Sequence, residues 1–308
     1  MTLPQLSDAV FITDGGLETT LIFRDGFDLP HFAAFDLLKD DVGRAGLRAY
    51  YEQYIRVAKE QGVGAVLDTP TWRANGDWGA VVGYSAEELD DVNRSAVELV
   101  DGLRDGDSTI LVSGCVGPRR DGYQAVDLMT AEEAERYHTR QVATFAGTAA
   151  DLVSALTMTY ADEAIGVARA AAATGVPVAV SFTVETDGRL PSGQPLREAV
   201  EQTDAETGGS VGYFMVNCAH PTHFDGVLAG DAPRVARVRG LRPNASTRSH
   251  AELDEAEDLD AGDPVDLGAR LGELRRRLPA LNVVGGCCGT DERHVGEMCR
   301  AVLAARSA

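Results

Sequence analysis

Eight short apolar runs alternate along this chain with helix-like stretches, and that alternation constrains the fold more than any other feature. The runs fall at 10–13, 65–68, 109–113, 151–156, 177–182, 212–217, 235–240 and 282–285. Segments rich in Ala, Leu, Glu and Arg follow at 43–61, 86–104, 131–149, 162–174, 195–207, 266–278 and 291–306, and only the stretch after the sixth run is too short to read as a clear helix. Strands alternating with helices pair in parallel, and runs apolar on both faces suit a sheet covered by helices. Eight such units in 308 residues favour an α/β fold of the (β/α)8 TIM-barrel type, one domain over residues 1–308. An open doubly wound sheet is the competing arrangement. The polar stretches 201–210 and 254–266 are expected to be solvated excursions.

Charge narrows the partners. With 28 Lys and Arg against 48 Asp and Glu, the net charge is −20. Binding to phosphate backbones or anionic lipid surfaces needs clustered cations, so nucleic acid and membrane surfaces are excluded as expected partners. Hydrophobic residues make up 44%, enough for a large core. The N-terminus lacks a basic region followed by a long apolar stretch, and no run approaches the roughly 18 apolar residues of a membrane helix. The expectation is a cytoplasmic protein. Its five cysteines, Cys115, Cys218, Cys287, Cys288 and Cys299, are then thiols and not disulfide staples.

In a parallel barrel the chemistry gathers where strands end and βα loops begin. Three cysteines fall there: Cys218 after the sixth run, in Val216-Asn-Cys218, and Cys287 and Cys288 after the eighth, in Gly285-Gly-Cys-Cys-Gly289. Runs six and eight are near neighbours around a closed barrel, so these thiols converge at one rim. Three thiolates leave one tetrahedral position open, the layout of a catalytic zinc. Zinc carrying three thiolates is a weak Lewis acid suited to holding an incoming thiol deprotonated yet nucleophilic. Cys115 and Cys299 read as packing residues. His220 and His223 form a rival ligand set, and Trp72 and Trp78 flank Arg73, a basic rim residue able to clamp a carboxylate. After the first run, Asp14-Gly15-Gly16-Leu-Glu18 offers backbone amides for a carboxylate and Asp14 for an ammonium, the two ends of a zwitterionic amino acid; a plain capped turn is the alternative.

The pieces Asp14-Gly-Gly-Leu-Glu-Thr19, Val216-Asn-Cys218 and Gly285-Gly-Cys-Cys-Gly-Thr290 together resemble the zinc-dependent homocysteine S-methyltransferase family, which includes betaine–homocysteine enzymes. The resemblance implies zinc on Cys218, Cys287 and Cys288 as the catalytic centre. It also implies transfer of a methyl group to homocysteine, giving methionine, with Asp14, Gly15 and Gly16 as the amino-acid-binding turn; Arg73, taken from its rim position, and Asn217 complete the expected substrate-binding residues. The donor is expected to be an S-methyl sulfonium or a quaternary ammonium. Two departures stand out. The family's usual Glu after the fourth strand, which contacts the substrate ammonium, aligns with Leu156, and its usual pattern after the second strand is replaced by Thr69-Pro-Thr-Trp-Arg73. Asp162, Glu163 and Glu185 are the candidate substitutes for the missing acid, and Tyr160 is the candidate fourth ligand at rest. Other thiols or selenols remain alternative acceptors, as does a noncatalytic zinc- or thiol-binding barrel or a zinc hydrolase. Expected partners are a small thiol acceptor and a methyl donor, with homo-oligomer formation left open.

Overall fold

The structure, a computed structural model, describes residues 3–228 and 236–306. Its strands are β1 (Phe11–Thr13), β2 (Gly64–Asp68), β3 (Ile110–Val116), β4 (Leu152–Met158), β5 (Val178–Phe182), β6 (Tyr213–Asn217), β7 (Val238–Arg242) and β8 (Val283–Val284). They pair in parallel and in chain order, and the pairs Phe11↔Val283 and Ile12↔Val284 join β1 to β8 and close the sheet. Closure decides for the barrel over the open sheet. One helix packs behind each strand: α1 (Asp41–Gln61), α2 (Ala86–Arg104), α3 (Ala131–Ala146), α4 (Ala161–Thr174), α5 (Leu196–Glu206), α6 (Pro221–Leu228), α7 (Pro264–Arg277) and α8 (Glu292–Arg306).

Local chemistry starts and stops these helices. The Asp40 side chain accepts from the Gly43 amide at the head of α1, and Gly62, with φ of 66°, ends it in the left-handed conformation that glycine adopts at little cost. Capping boxes open α2 (Ser85 with Glu88) and α3 (Thr130 with Glu133). Residues 201–206, expected in a polar excursion, are the last turns of α5, whose solvated face is itself polar. The seventh strand lies two residues later than its apolar run suggested, because it ends on the charged Arg242; residue 235, the start of that run, lies outside the described residues.

Inward side chains of the strands, among them Phe11, Val66, Leu111, Leu152, Tyr213, Met215 and Val283, fill the barrel interior, with Leu3 packed against them. The Asn282 amide donates to the carbonyls of Gln5, Ser7 and Ala9 and ties the N-terminal segment to the barrel. A larger core lies between barrel and helices, where Cys299 is fully buried. No described helix is long and apolar enough to cross a membrane.

Candidate metal centre and substrate chamber

At the C-terminal ends of the strands lies a chamber of about 320 Å³. Cys218, Cys287 and Cys288 meet at its wall, with all three sulfurs within 4.8 Å of one another. Cys218 and Cys287 are paired as a disulfide, their Cα atoms 5.4 Å apart, and Cys288 is free. A backbone lattice from three strands sets the cluster. The Cys218 amide donates to Arg242 O, the Cys287 amide to Pro243 O, and the Ala245 amide to Cys288 O. Cys218 has φ of 54° and Thr157, beside it, 62°. Left-handed backbone at two non-glycine residues is uncommon and gathers at functional sites, where surrounding structure enforces it. The glycines are required by close approach: a Cβ on Gly16 would collide with the Cys287 carbonyl oxygen, and one on Gly286 with the Thr290 side chain.

The donors around the sulfurs favour thiolates. Asn217 Nδ2 lies 3.3 Å from Cys218 Sγ and 4.0 Å from Cys287 Sγ, while its Oδ1 accepts from the Thr157 amide and the Ser181 hydroxyl. The Thr157 hydroxyl is 3.9 Å from Cys218 Sγ. Tyr123, from the loop after β3, brings its hydroxyl to 3.5 Å from Cys288 Sγ. Its ring stacks on His250, centroids 4.0 Å apart, and His250 in turn bonds Cys218 O and Glu185. Burial pushes the Cys288 thiol up to about 11, so a cation that binds its sulfur at neutral pH must displace the proton, which leaves to solvent. Three soft sulfurs with flanking N–H and O–H donors therefore fit a thiophilic divalent metal.

The chamber floor is ionic. Arg242 Nη2 is 2.6 Å from Asp14 Oδ1, its Nη1 pairs with Asp68 Oδ2, and its Nε donates to Gly286 O at 3.2 Å. Burial raises the Asp14 carboxyl to about 7, with Arg242 opposing and the nearby Asp68 and Glu18 reinforcing the rise. Arg73 lines the chamber between two indoles, its guanidinium carbon 3.7 Å from the Trp78 centroid and 4.5 Å from that of Trp72. Burial lowers its pKa to about 10, so it remains a cation. Leu156 and Cys115 contribute apolar wall. The acidic stretch 254–266 is the solvated loop and helix entry expected of it, and Asp254, Asp258, Leu259 and Asp260 also line the chamber.

A family-wide sequence model of homocysteine S-methyltransferases matches residues 11–302. The chain belongs to the homocysteine S-methyltransferase family. It is a methyltransferase with small-molecule substrates. Homocysteine S-methyltransferase 4 of Zea mays is 28% identical over 243 residues, covering 71% of this chain and 70% of the relative. The selenocysteine Se-methyltransferase of Brassica oleracea var. italica is 24% identical, covering 96% and 90%. Among solved structures, the homocysteine methyltransferase MmuM from Escherichia coli superposes in its oxidized form with a TM-score of 0.76 at 20% identity, over 96% of this chain and 97% of that one. Its metallated form gives 0.76 at 19% identity. These structures share the fold.

Within this family member, the expected residues Cys218, Cys287, Cys288, Asp14, Gly15, Gly16, Arg73 and Asn217 all line the one chamber. The expectations for Tyr160 and for the substitute acids fail, and the rival histidine set does not form. The Tyr160 hydroxyl accepts from the Met129 amide, away from the sulfurs, and the phenol at the cluster is Tyr123. The His220 ring, which burial lowers to about 4, bonds Thr222, and His223 bonds Thr247 O; neither joins the cluster. Asp162 is taken by Gln202, Glu163 by His138 and the Arg119 amide, and Glu185 by His250. None of the three lines the chamber. Sequence reasoning missed Arg242, Asp68, Tyr123 and His250. A clue to Arg242 existed, a charged residue two positions beyond the stated end of an apolar run.

Proposed function

We propose that this enzyme moves a methyl group from a sulfonium or quaternary ammonium donor to homocysteine, giving methionine, with zinc held by Cys218, Cys287 and Cys288 in the reducing cytoplasm. The convergence of three cysteine sulfurs, flanked by hydrogen-bond donors, in a chamber sized for small substrates carries the reading. Zinc bound there would supply a fourth position at which an acceptor thiol stays deprotonated at neutral pH.

The chain's own groups do the rest. Cys218 and Cys287 must be reduced to bind metal, and the donors on Asn217 and Tyr123 stabilise sulfur charge. Asp14 and the turn at Gly15 and Gly16 line the chamber and would border an amino-acid head group, although the Asp14 oxygens already accept from Arg242 and Tyr50 and the Gly16 amide donates to Thr290 O, and Arg73 holds positive charge at the wall. Leu156 and Trp72 give the chamber apolar wall. The acceptor sulfur attacks the methyl carbon as the bond from that carbon to the donor's sulfur or nitrogen breaks. Both electrons of that bond leave with the donor, which departs as a thioether or tertiary amine, so no general base is needed once the thiol is ionised.

The deciding experiment pairs elemental analysis of reduced protein with methyl transfer from sulfonium and betaine donors to homocysteine and its selenol analogue. About one zinc per chain and transfer abolished in Cys287→Ser and Cys288→Ser support the reading. Absence of zinc, or transfer that survives both substitutions, defeats it. The selenol arm is included because the Brassica relative, matched across nearly the whole chain, is a selenocysteine Se-methyltransferase.

A further inference from the structure

Arg242 is shared by two carboxylates and satisfies only one oxygen of each. On Asp14 the other oxygen has the Tyr50 hydroxyl at 3.3 Å. On Asp68 it has nothing: Oδ1 is buried without a hydrogen-bond partner, on a residue 3% exposed that lines the chamber. Buried carboxylate oxygens in folded proteins are almost always paired, so an orphan on a cavity wall marks a position where a donor from outside the chain belongs. The Arg242 fork is already committed to Asp14, Asp68 and Gly286 O.

The rest of the wall offers no rival of the same kind. From β4 the chamber receives Leu156, which is apolar, and Thr157, which carries no charge; Asp254 and Asp258 lie at the rim and are exposed to water, unlike the buried Asp68. Asp121 accepts from the amides of Tyr123 and Gln124, Asp260 from Ser246 and the Gly262 amide, and Glu18 from its own backbone amide. The geometry points to Asp68 as the specificity-determining residue for the acceptor: its free oxygen, beside Asp14, receives the α-ammonium of an amino-acid thiol. Asp68 thereby makes the enzyme select thiols that carry an amine over the same thiols without one. This rests on the reading that the chamber methylates an amino-acid thiol.

The test compares homocysteine with 4-sulfanylbutanoate, the same chain without the amine, in metal-loaded enzyme whose zinc content is measured for each variant. A charge-assisted hydrogen bond sets the expected scale at roughly 10–100-fold in kcat/KM. Wild-type enzyme should prefer homocysteine by at least that factor. Asp68→Asn should erase most of the preference through KM, and Asp68→Asn with Leu156→Glu, which returns a carboxylate from β4, two strands round the barrel, should restore it. Asp68→Ser is read in parallel in case the amide variant does not fold, and calorimetric binding of the two thiols provides a readout independent of turnover. An unchanged preference in folded Asp68→Asn or Asp68→Ser overturns the assignment of Asp68, as does equal use of both thiols by wild type. Those results leave methyl transfer standing, whereas no transfer to any thiol defeats the broader reading and this one with it.

Discussion

Asn217 Nδ2 lies 3.3 Å from the sulfur of Cys218, the next residue in the chain, and the same nitrogen is 4.0 Å from Cys287 Sγ across the barrel. One amide thus serves two of the three sulfurs, while its oxygen is fixed by the Thr157 amide and the Ser181 hydroxyl. Neutral donors facing ligand thiolates offset their negative charge and hold them in place. Asn217→Ala should weaken zinc binding by 10–100-fold, the usual scale for such partners. Chelator competition on reduced protein measures this. Asn217→Asp should be worse still, because a carboxylate would face two thiolates.

Tyr123 makes the corresponding contact to the third sulfur, 3.5 Å from Cys288 Sγ, from a loop that also stacks on His250. Tyr123→Phe keeps the stack and removes the hydroxyl. The Cys288 thiolate should then donate more charge to the metal, shifting the thiolate-to-metal absorption band of cobalt-substituted enzyme, with zinc affinity falling only a few-fold relative to the loss in Asn217→Ala. An unshifted band would show that the hydroxyl does not act on the sulfur.

Asp14 gives a pH dependence of definite sign. Burial raises its carboxyl to about 7 from an ordinary value near 4, with Arg242 opposing. The folded state therefore binds the proton more tightly than the unfolded chain, so the stability linked to Asp14 is present below about pH 4 and is lost as pH rises toward 7. In reduced, chelator-treated protein, the loss of denaturation free energy between pH 5 and pH 8 should be smaller in Asp14→Asn than in wild type. Equal slopes would mean that Asp14 is ionised throughout.

The cysteine cluster and the Asp14 turn were legible because each motif is contiguous and sits at the end of an apolar run, where barrel geometry sends side chains to the rim. The eight units were legible because strand and helix periodicities alternate, but closure was not, since it rests on the pairing of β1 with β8, which no periodicity encodes. The ionic floor was not. Arg242 meets partners 174 and 228 positions away, and no local pattern pairs it with them. Tyr123 lies in the loop after β3, where periodicity carries no information, and only the packing of that loop against His250 aims its hydroxyl at Cys288. The acidic stretch 254–266 reads as solvated by composition and is exposed, but composition does not show that several of those acids also line the chamber.

Arg242 itself should prove more costly to remove than its pairs are worth. With both carboxylates buried and the guanidinium donating also to Gly286 O, Arg242→Met would leave Asp14 and Asp68 facing each other without a cation. Breaking a buried ion pair from one side costs about 3–5 kcal/mol, mainly from the stranded charge and not from lost attraction. The same logic makes the loss recoverable: Asp14→Asn, Asp68→Asn and Arg242→Met combined remove all three charges and should regain most of that stability while abolishing acceptor recognition. Urea denaturation of the single and triple variants decides it. If the triple variant is no more stable than Arg242→Met, the guanidinium acts chiefly through its bond to the Gly286 carbonyl, one residue before Cys287 and Cys288, and not through charge balance.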